Sequence, residues 1–571
     1  MSPLQRVVAF VLVLVLFSTG ATFYYHKNMR AVIEIPRSGG THTEGVIGTP
    51  RFINPLLAVS RADQDIAAVV YAGLLTRDAT GQLIPELAAS YNISEDGTVY
   101  TFTLKDGLTF HDGTPLTAAD VEFTIRRAAS PGIHSPLFAD WEGVGVDVRD
   151  ERTIVFTLPE PYQPFLNNAT IGILPKHLWA DLSDDEFSFS QFNVEPIGAG
   201  PYKLRDTVVD ASGIPNSYHL SAFEGYSLGT PHIDHLVFSL HRDNTELLQA
   251  FAEKQVDAIH AVSTTNLTQL LAQEDRHPLI SLLRTPQLRV FGVFLNQNKQ
   301  PVLLRDEVRE ALSIATPKHT IVGEVLGGYG NILKNPIPPG TLIGTSSARD
   351  AATEPTDLPS SNTINEAQTL LEVAGWERAS GSDIYVYETD DQTLELSFSL
   401  ATIDSPELVQ AAELIADAWG AIGAQVDLKV YDATDLTQSI IRPRRYDALL
   451  FGLDIGHELD LYAFWHSSQR NDPGLNVAQF ADIEADATLE QLRTERDATK
   501  RQQLLSTFVE RVHDEQASIF IYSPDFTYVV QNNIHNVTLH PIADASERFD
   551  TIHTWYLETD HVWPIIDEWF E

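Results

Sequence analysis

The chain has 571 residues, 43% of them hydrophobic and 9% aromatic, enough to bury more than one core. Its 78 acidic residues against 38 basic ones give a formal net charge of −40, which excludes nucleic acid as an expected partner, because phosphates are repelled rather than neutralised. There is no cysteine, so a disulfide framework, a catalytic thiol and an acylated-cysteine tether are excluded as well.

The N-terminus carries Arg6, an apolar run from Val7 to Phe17, uncharged residues to Tyr25, and then Lys27 and Arg30. Charge followed by an apolar run is an export signal. The uncharged stretch is about as long as a bilayer is thick and shows no clean small-x-small cleavage site, so an uncleaved N-terminal hydrophobic helix is expected. A cleaved signal is the alternative.

From Ala31 to Ile53 the chain reads as extended and polar. Tyr71, Leu74 and Leu75 close an amphipathic helix, and Asp78 to Gly81 supply turn chemistry. Val99-Tyr-Thr-Phe-Thr-Leu104 alternates with period two, as a half-buried strand does, and Asp106-Gly107 turns it into Leu108-Thr-Phe110. After the turn His111-Asp-Gly-Thr-Pro115, the spacing of Thr117 and Asp120 predicts a capping box and a helix through Val121, Phe123 and Ile125. Arg152 to Leu158 is a further strand, ended by Pro159, Pro161 and Pro164.

Ile197-Gly-Ala-Gly-Pro-Tyr-Lys-Leu204 combines glycines that permit close backbone approach with a proline at a strand start. Pro231 to Leu240 reads as a buried strand, and Asn244 as the cap of a helix through Phe251. Leu288 to Asn296 is a strand, and a helix starts at Asp306. Pro336 to Ser361 has loop composition. Then come a helix from Ile364 to Ala374, a strand from Leu394 to Leu400, a helix from Pro406 to Ile422, a strand from Val426 to Val430, and a buried strand from Tyr446 to Gly452.

This order of elements resembles the large two-lobed solute-binding proteins that feed peptide-type ABC importers, the bacterial extracellular solute-binding family 5. The resemblance rests on Tyr71 to Arg127 with Asn54-Pro55 upstream, on the glycine-proline entry at Ile197, on Asn296 followed by Val308-Arg309 and Ala311-Leu312, and on Gly375-Trp376. It implies an α/β bilobal periplasmic-binding-protein-like fold with an extra inserted domain. The expected boundaries are 1–30 for the signal or anchor, 31–70, 172–286 and 524–571 for the first lobe, 71–171 for the inserted domain and 287–523 for the second lobe.

Enzyme signatures are missing: there is no phosphate-cradling G-x-x-x-x-G-K, no G-x-S-x-G and no H-E-x-x-H. His232 and His235 lie three apart on a strand pattern, so they point to opposite faces and are poor joint ligands. No catalytic residue, cofactor or metal ligand is assigned. The strongest site candidate is Phe451 to Trp465. In peptide-binding relatives an aromatic residue follows the strand's last glycine, and an Asp four positions after that glycine pairs with the ligand ammonium; a buried ammonium needs such a carboxylate. Here those positions are Leu453 and Gly456, which leaves Asp454 as the nearest acid, with Glu458 and Asp460 beyond it. The resemblance places Asp454, Leu453, His457, Trp465, Tyr71 and Asn54 in ligand contact. Turn capping by Asp454 and core packing by Tyr71 are the alternatives.

The implied function is that of an extracytoplasmic, monomeric, non-enzymatic component of an ABC importer. It captures oligopeptides and delivers them to permease and ATPase subunits, with the membrane reached through the N-terminal helix. A sugar, metal chelate or other solute is the alternative cargo, and a secreted hydrolase a remote one.

Overall fold

The computed structural model describes residues 10, 12–20, 22, 33–260, 262–263, 266–268, 270, 280–341, 361–389 and 392–562. The Val7 to Tyr25 stretch lies partly outside that set, and the Pro336 to Ser361 loop largely so. Residues 12–20 are helical and exposed, and among the described residues no helix is long and apolar enough to cross a membrane.

Twelve strands hydrogen-bond into one sheet, ten along a continuous path and two branching from it. Its pivot is the long strand Ser518–Gln531. The first part of this strand runs antiparallel to Arg289–Leu295, with Ile519 opposite Val293 and Tyr522 opposite Phe291. The second part runs antiparallel to Ile280–Pro286, with Asp525 opposite Pro286. Between the two halves the chains are stitched together: Gln287 N–H donates to the Pro524 carbonyl at 2.9 Å, and Ser523 Oγ donates to the Gln287 carbonyl at 2.8 Å.

Alternation along these strands sorts side chains onto two faces. Val293, Leu295, Ile519 and Ile521 enter one core with Trp419 and Leu400; Phe294, Leu449 and Phe520 enter another with Trp465 and Phe508. Beyond Ser523 the same strand delivers Phe526, Tyr528 and Val530 to a separate core with Val46, Leu236 and Trp555. One strand therefore contributes to the cores on both sides of a double crossing.

The last of these cores also extends into a four-stranded sheet, Ala88–Ile93, Val99–Leu104, Thr153–Thr157 and Gly145–Val148 in sequence of pairing. The expected strand at Val99–Leu104 forms with the predicted alternation, burying Tyr100, Phe102 and Leu104. The helix Ala118–Ala128 starts where Thr117 and Asp120 place it, with Thr117 N–H and Oγ1 both donating to Asp120 Oδ2 at 2.8 and 3.0 Å.

Several elements differ from expectation. The first amphipathic helix ends at Val70, and Tyr71 turns to an extended conformation as its C-cap. Asp243, not Asn244, caps the helix Asn244–Ala252, accepting the Thr245 and Glu246 amides. The run Leu394 to Leu400 is split: Thr393–Glu395 joins a small three-stranded sheet, and Ser397–Ile403 joins the main path. Ser397–Ile403, the helix Pro406–Ala421 and Gln425–Tyr431 form the expected βαβ unit, with the two strands parallel.

Candidate functional site

The glycine-proline segment shows why its residue types are needed. A Cβ on Gly198 would lie 2.1 Å from the Val70 carbonyl oxygen, and one on Gly200 would lie 2.6 Å from the Val70 carbonyl carbon. Only bare backbone fits against the end of the first helix. His111 closes the arrangement: its Nδ1 accepts the Gly198 amide at 3.2 Å and its Nε2 donates to the Gly200 carbonyl at 3.0 Å. Burial holds this imidazole down at about 4, in its neutral form.

Behind the double crossing lies a buried charge network. Arg548, fully buried, pairs with Glu44 at 2.9 Å and with Asp65 at 2.7 Å. Tyr528 donates to Glu44, His42 bonds the same carboxylate, and His260 bonds Asp65 at 3.1 Å. Burial opposes ionisation of both acids, but the Arg548 guanidinium holds each below its usual value. The network ties the strand Thr41–Ile47, the helix Arg61–Val70 and the long strand to the C-terminal segment.

Two cavities open between the bodies on either side of the crossing. One, of about 420 Å³, is lined by Arg61, His260, Gln287, Arg289, Glu407 and Asp525. The other, of about 430 Å³, lies between Arg77, Gln163 and Asn167 on one side and His457, Arg496 and Arg501 on the other. Its three arginines are held by neutral oxygens: Arg77 by the Gly81 carbonyl and Asn167, Arg496 by the Ser94 and Glu95 carbonyls, and Arg501 by the Leu492 and Glu495 carbonyls. A third cavity, of about 320 Å³, includes Tyr71, Glu86, Tyr226 and Glu547. Burial pushes the Glu86 carboxyl up to about 8 although Tyr226 and the Gly73 amide both donate to it.

The residues expected at the site separate. His457 lines the 430 Å³ cavity and bonds Glu547 at 2.8 Å. Asp454 is mostly exposed and ion-paired with Arg289, its cross-strand neighbour. Tyr71 is buried, donates to the Ile53 carbonyl at 3.3 Å and borders the third cavity. Asn54 is fully buried and donates to Asn193 at 3.0 Å while capping Leu56. Leu453 and Trp465 line none of these cavities. Both are buried in the core that contains Phe294, Phe480, Phe508 and Phe520, because alternation on the strand Ala448–Asp454 turns Leu453 inward and the short helix Tyr462–Trp465 packs Trp465 beneath it. Arg77, Arg496 and Arg501, absent from the sequence expectation, stand in the cavity wall instead; a lone arginine in a strand, a turn or a helix carries no local signal of that role.

Separate cores joined by paired crossing strands, with cavities lined by both charged and apolar side chains beside the crossing, are the class of architecture that the comparisons with known proteins identify. The chain belongs to the bacterial extracellular solute-binding proteins, family 5: the family model described as "Bacterial extracellular solute-binding proteins, family 5 Middle" matches residues 82–473. It is similar to the oligopeptide-binding protein AppA of Bacillus subtilis (strain 168), 26% identical over 531 residues that cover 91% of this chain and 92% of that one. It is equally similar, at 26% over 522 residues covering 87% and 91%, to the dipeptide-binding protein of Escherichia coli (strain K12). Among solved structures, the ABC transporter substrate-binding protein CtaP from Listeria monocytogenes superposes with a TM-score of 0.74 at 25% identity, covering 91% of this chain and all of that one. The Bacillus subtilis AppA structure in complex with a nonapeptide superposes at 0.68 and 24% identity, covering 92% and 100%.

Proposed function

We propose that this solute-binding protein captures oligopeptides between its two bodies and hands them to the permease and ATPase subunits of an ABC importer, doing no covalent chemistry. The observation that carries the reading is the strand Ser518–Gln531, shared by the cores on both sides of the crossing, with the 420 Å³ cavity walled from both bodies beside it. Similarity to proteins named for oligopeptide and dipeptide binding supports the choice of cargo.

In this reading residues 31–70, 172–286 and 524–571 form the first lobe, 71–171 an inserted domain and 287–523 the second lobe. The hinge is the Gln287–Ser523 pair, where hydrogen bonds hold the two crossings side by side while rotation about them opens the cleft. Peptide main chain pairs with exposed polar backbone in the cleft, and the arginines of the 430 Å³ cavity, bonded only to neutral oxygens, attract the peptide's carboxylates. His457 is the expected contact that this reading keeps. The chain acts as a monomer outside the cytoplasm, and the Val7 to Tyr25 stretch tethers it to the membrane.

Mass spectrometry of the solute released on denaturing the purified protein tests the cargo. Peptides are the expected result; a sugar, a metal chelate or no organic solute overturns the assignment. Cell fractionation with N-terminal sequencing tests the tether, and a soluble mature chain starting beyond Ala21 overturns it.

A further inference from the structure

His457, His540 and Glu547 each present one ligand atom, and these atoms lie within 4.8 Å of one another. They come from opposite sides of the cleft. His457 sits in the loop after the strand Ala448–Asp454, whose side chains feed the core of the second body. His540 and Glu547 belong to the C-terminal segment, which packs on the first body through Ile542 and Phe549.

We infer that this His457–His540–Glu547 cluster is a binding site for a divalent transition cation of the zinc class, which clasps the two bodies together at the edge of the proposed solute cavity that His457 also lines. Two imidazoles and a carboxylate are the donor set such a cation prefers over calcium or magnesium, which favour all-oxygen cages. Tetrahedral ligands at about 2.0–2.2 Å stand roughly 3.3 Å from one another. His457 Nε2 and Glu547 Oε2 are already 2.8 Å apart, and the remaining separations close by side-chain rotation of about 1.5 Å or less.

The surroundings fit as well. Asp550 bonds His540 Nε2 at 3.0 Å and the Pro541 carbonyl bonds Nδ1 at 2.7 Å. One of these partners orients the ring while the other nitrogen is released to the cation, the carboxylate–histidine–metal arrangement that fixes a ligand's tautomer. Glu547 is fixed by the Ala543 amide at 3.0 Å. Arg77 opposes the cation's charge; Asp550 and Glu458, which face the same guanidinium, offset it. The 430 Å³ cavity lined by His457 supplies an entry path and room for a water at the fourth position. Binding displaces the His457–Glu547 hydrogen bond and one of the two bonds to the His540 ring, and it joins segments from the two sides of the cleft.

The test is calorimetry and thermal unfolding of the tag-free full chain, stripped by chelator, with zinc chloride as the probe and calcium chloride as the control. One zinc per chain is expected, with a raised unfolding temperature and a smaller radius of gyration in solution, and calcium should do neither. His457→Ala and Glu547→Gln should each weaken zinc binding by about tenfold or more. X-ray absorption of the zinc-loaded protein should show two imidazole ligands. Equal zinc affinity in the parent and His457→Ala proteins, or no zinc heat at about 100 μM, overturns the site. His457 lies in a partly exposed loop, so this variant decides the matter even if Glu547→Gln fails to fold. The outcome is separate from that of the transport reading: peptide capture that is unchanged by chelator leaves that reading intact whether or not zinc binds.

Discussion

His111 accepts the amide proton of Gly198 on Nδ1 at 3.2 Å while donating from Nε2 to the Gly200 carbonyl. The turn that follows the first period-two strand is thereby fastened to the glycine-proline segment almost ninety residues on. The ring can do both only when neutral, and burial keeps it so, with its pKa lowered from 6.5 to about 4. Between these values the unfolded chain takes up the proton and the folded one does not, so stability falls as pH drops through that window. His111→Ala should leave the buried Gly198 amide unpaired and cost about 1–3 kcal/mol near neutral pH. It should also flatten the acid limb of the stability curve between pH 6.5 and 4. Urea unfolding across that range checks both effects, and an unchanged acid limb would count against His111 as its source.

Gly198 makes the same contact testable from the other side. A methyl there would meet the Val70 carbonyl oxygen at 2.1 Å, and backbone at a helix end has little room to yield. Gly198→Ala is expected to destabilise by about 3 kcal/mol, at the upper end of ordinary overpacking. Gly213→Ala offers a contrast: nothing lies within 4 Å of its Cβ, and its positive φ is the only penalty. Thermal unfolding of the two variants should rank them in that order.

Much of the first two hundred residues was legible because the signals are local. The alternation of Val99–Leu104 and the Thr117–Asp120 capping box each lie within a few residues, and both form as read. The glycines of Ile197 to Leu204 announced a close backbone approach, although nothing nearby named Val70 as the neighbour. The Arg548 network was out of reach, since it joins Glu44, Asp65, His260 and Tyr528 from four distant stretches. The candidate site was legible only in part, for a related reason. An apolar residue beside a functional loop, such as Trp465, looks the same in sequence whether it faces a cleft or a core, and only the packing of Phe294, Phe508 and Phe520 around it decides. The cavity arginines are positioned by carbonyls of other segments, which no local pattern records.

Glu86 predicts an alkaline weakness. Its carboxyl, buried between Tyr226 and the Gly73 amide, has its pKa raised from 4.5 to about 8. The folded state holds the proton where the unfolded state has lost it, so the favourable contribution is complete below about pH 4.5 and declines as pH rises towards 8. Each pH unit inside that window removes up to about 1.4 kcal/mol. Glu86→Gln keeps the shape and an acceptor, and the Tyr226 hydroxyl can turn to accept from the new amide. Denaturation at pH 5 and pH 8 should therefore differ less in the variant than in the parent protein, and an equal difference in both would exclude Glu86 as the cause.

Arg548 should be far less tolerant. Replacing it by Met leaves Glu44 and Asp65 buried without their cation, a change that typically costs about 3–5 kcal/mol. The exposed pair of Asp454 with Arg289 is the counterpart: Asp454→Asn should change stability by no more than about 1 kcal/mol. Chemical denaturation of both variants measures the contrast, and a similar loss in the two would contradict the burial argument.

Closure itself is testable at the rim of the cleft. Tyr162, from the stretch that follows the small sheet, donates to Asp460 Oδ2 of the second body at 3.2 Å. The same oxygen is paired with Arg493 at 3.3 Å, and the Arg493 guanidinium lies over the rings of Tyr162 and Tyr462 at 5.1 and 4.6 Å. In the hinge reading proposed above, these contacts form only while the two bodies are together, and their free energy belongs to the closed state alone. Tyr162→Phe keeps the ring and the cation–π contact but deletes the donor, which should weaken closure by about 1 kcal/mol because a hydrogen bond to a charged acceptor is lost. Solute binding draws on closure, so apparent affinity should fall about fivefold. The stability of the solute-free, open protein should hold. Calorimetry with the solute recovered from the purified protein, together with small-angle scattering, reads both effects. Unchanged affinity in Tyr162→Phe would show that this contact contributes nothing to holding the cleft shut.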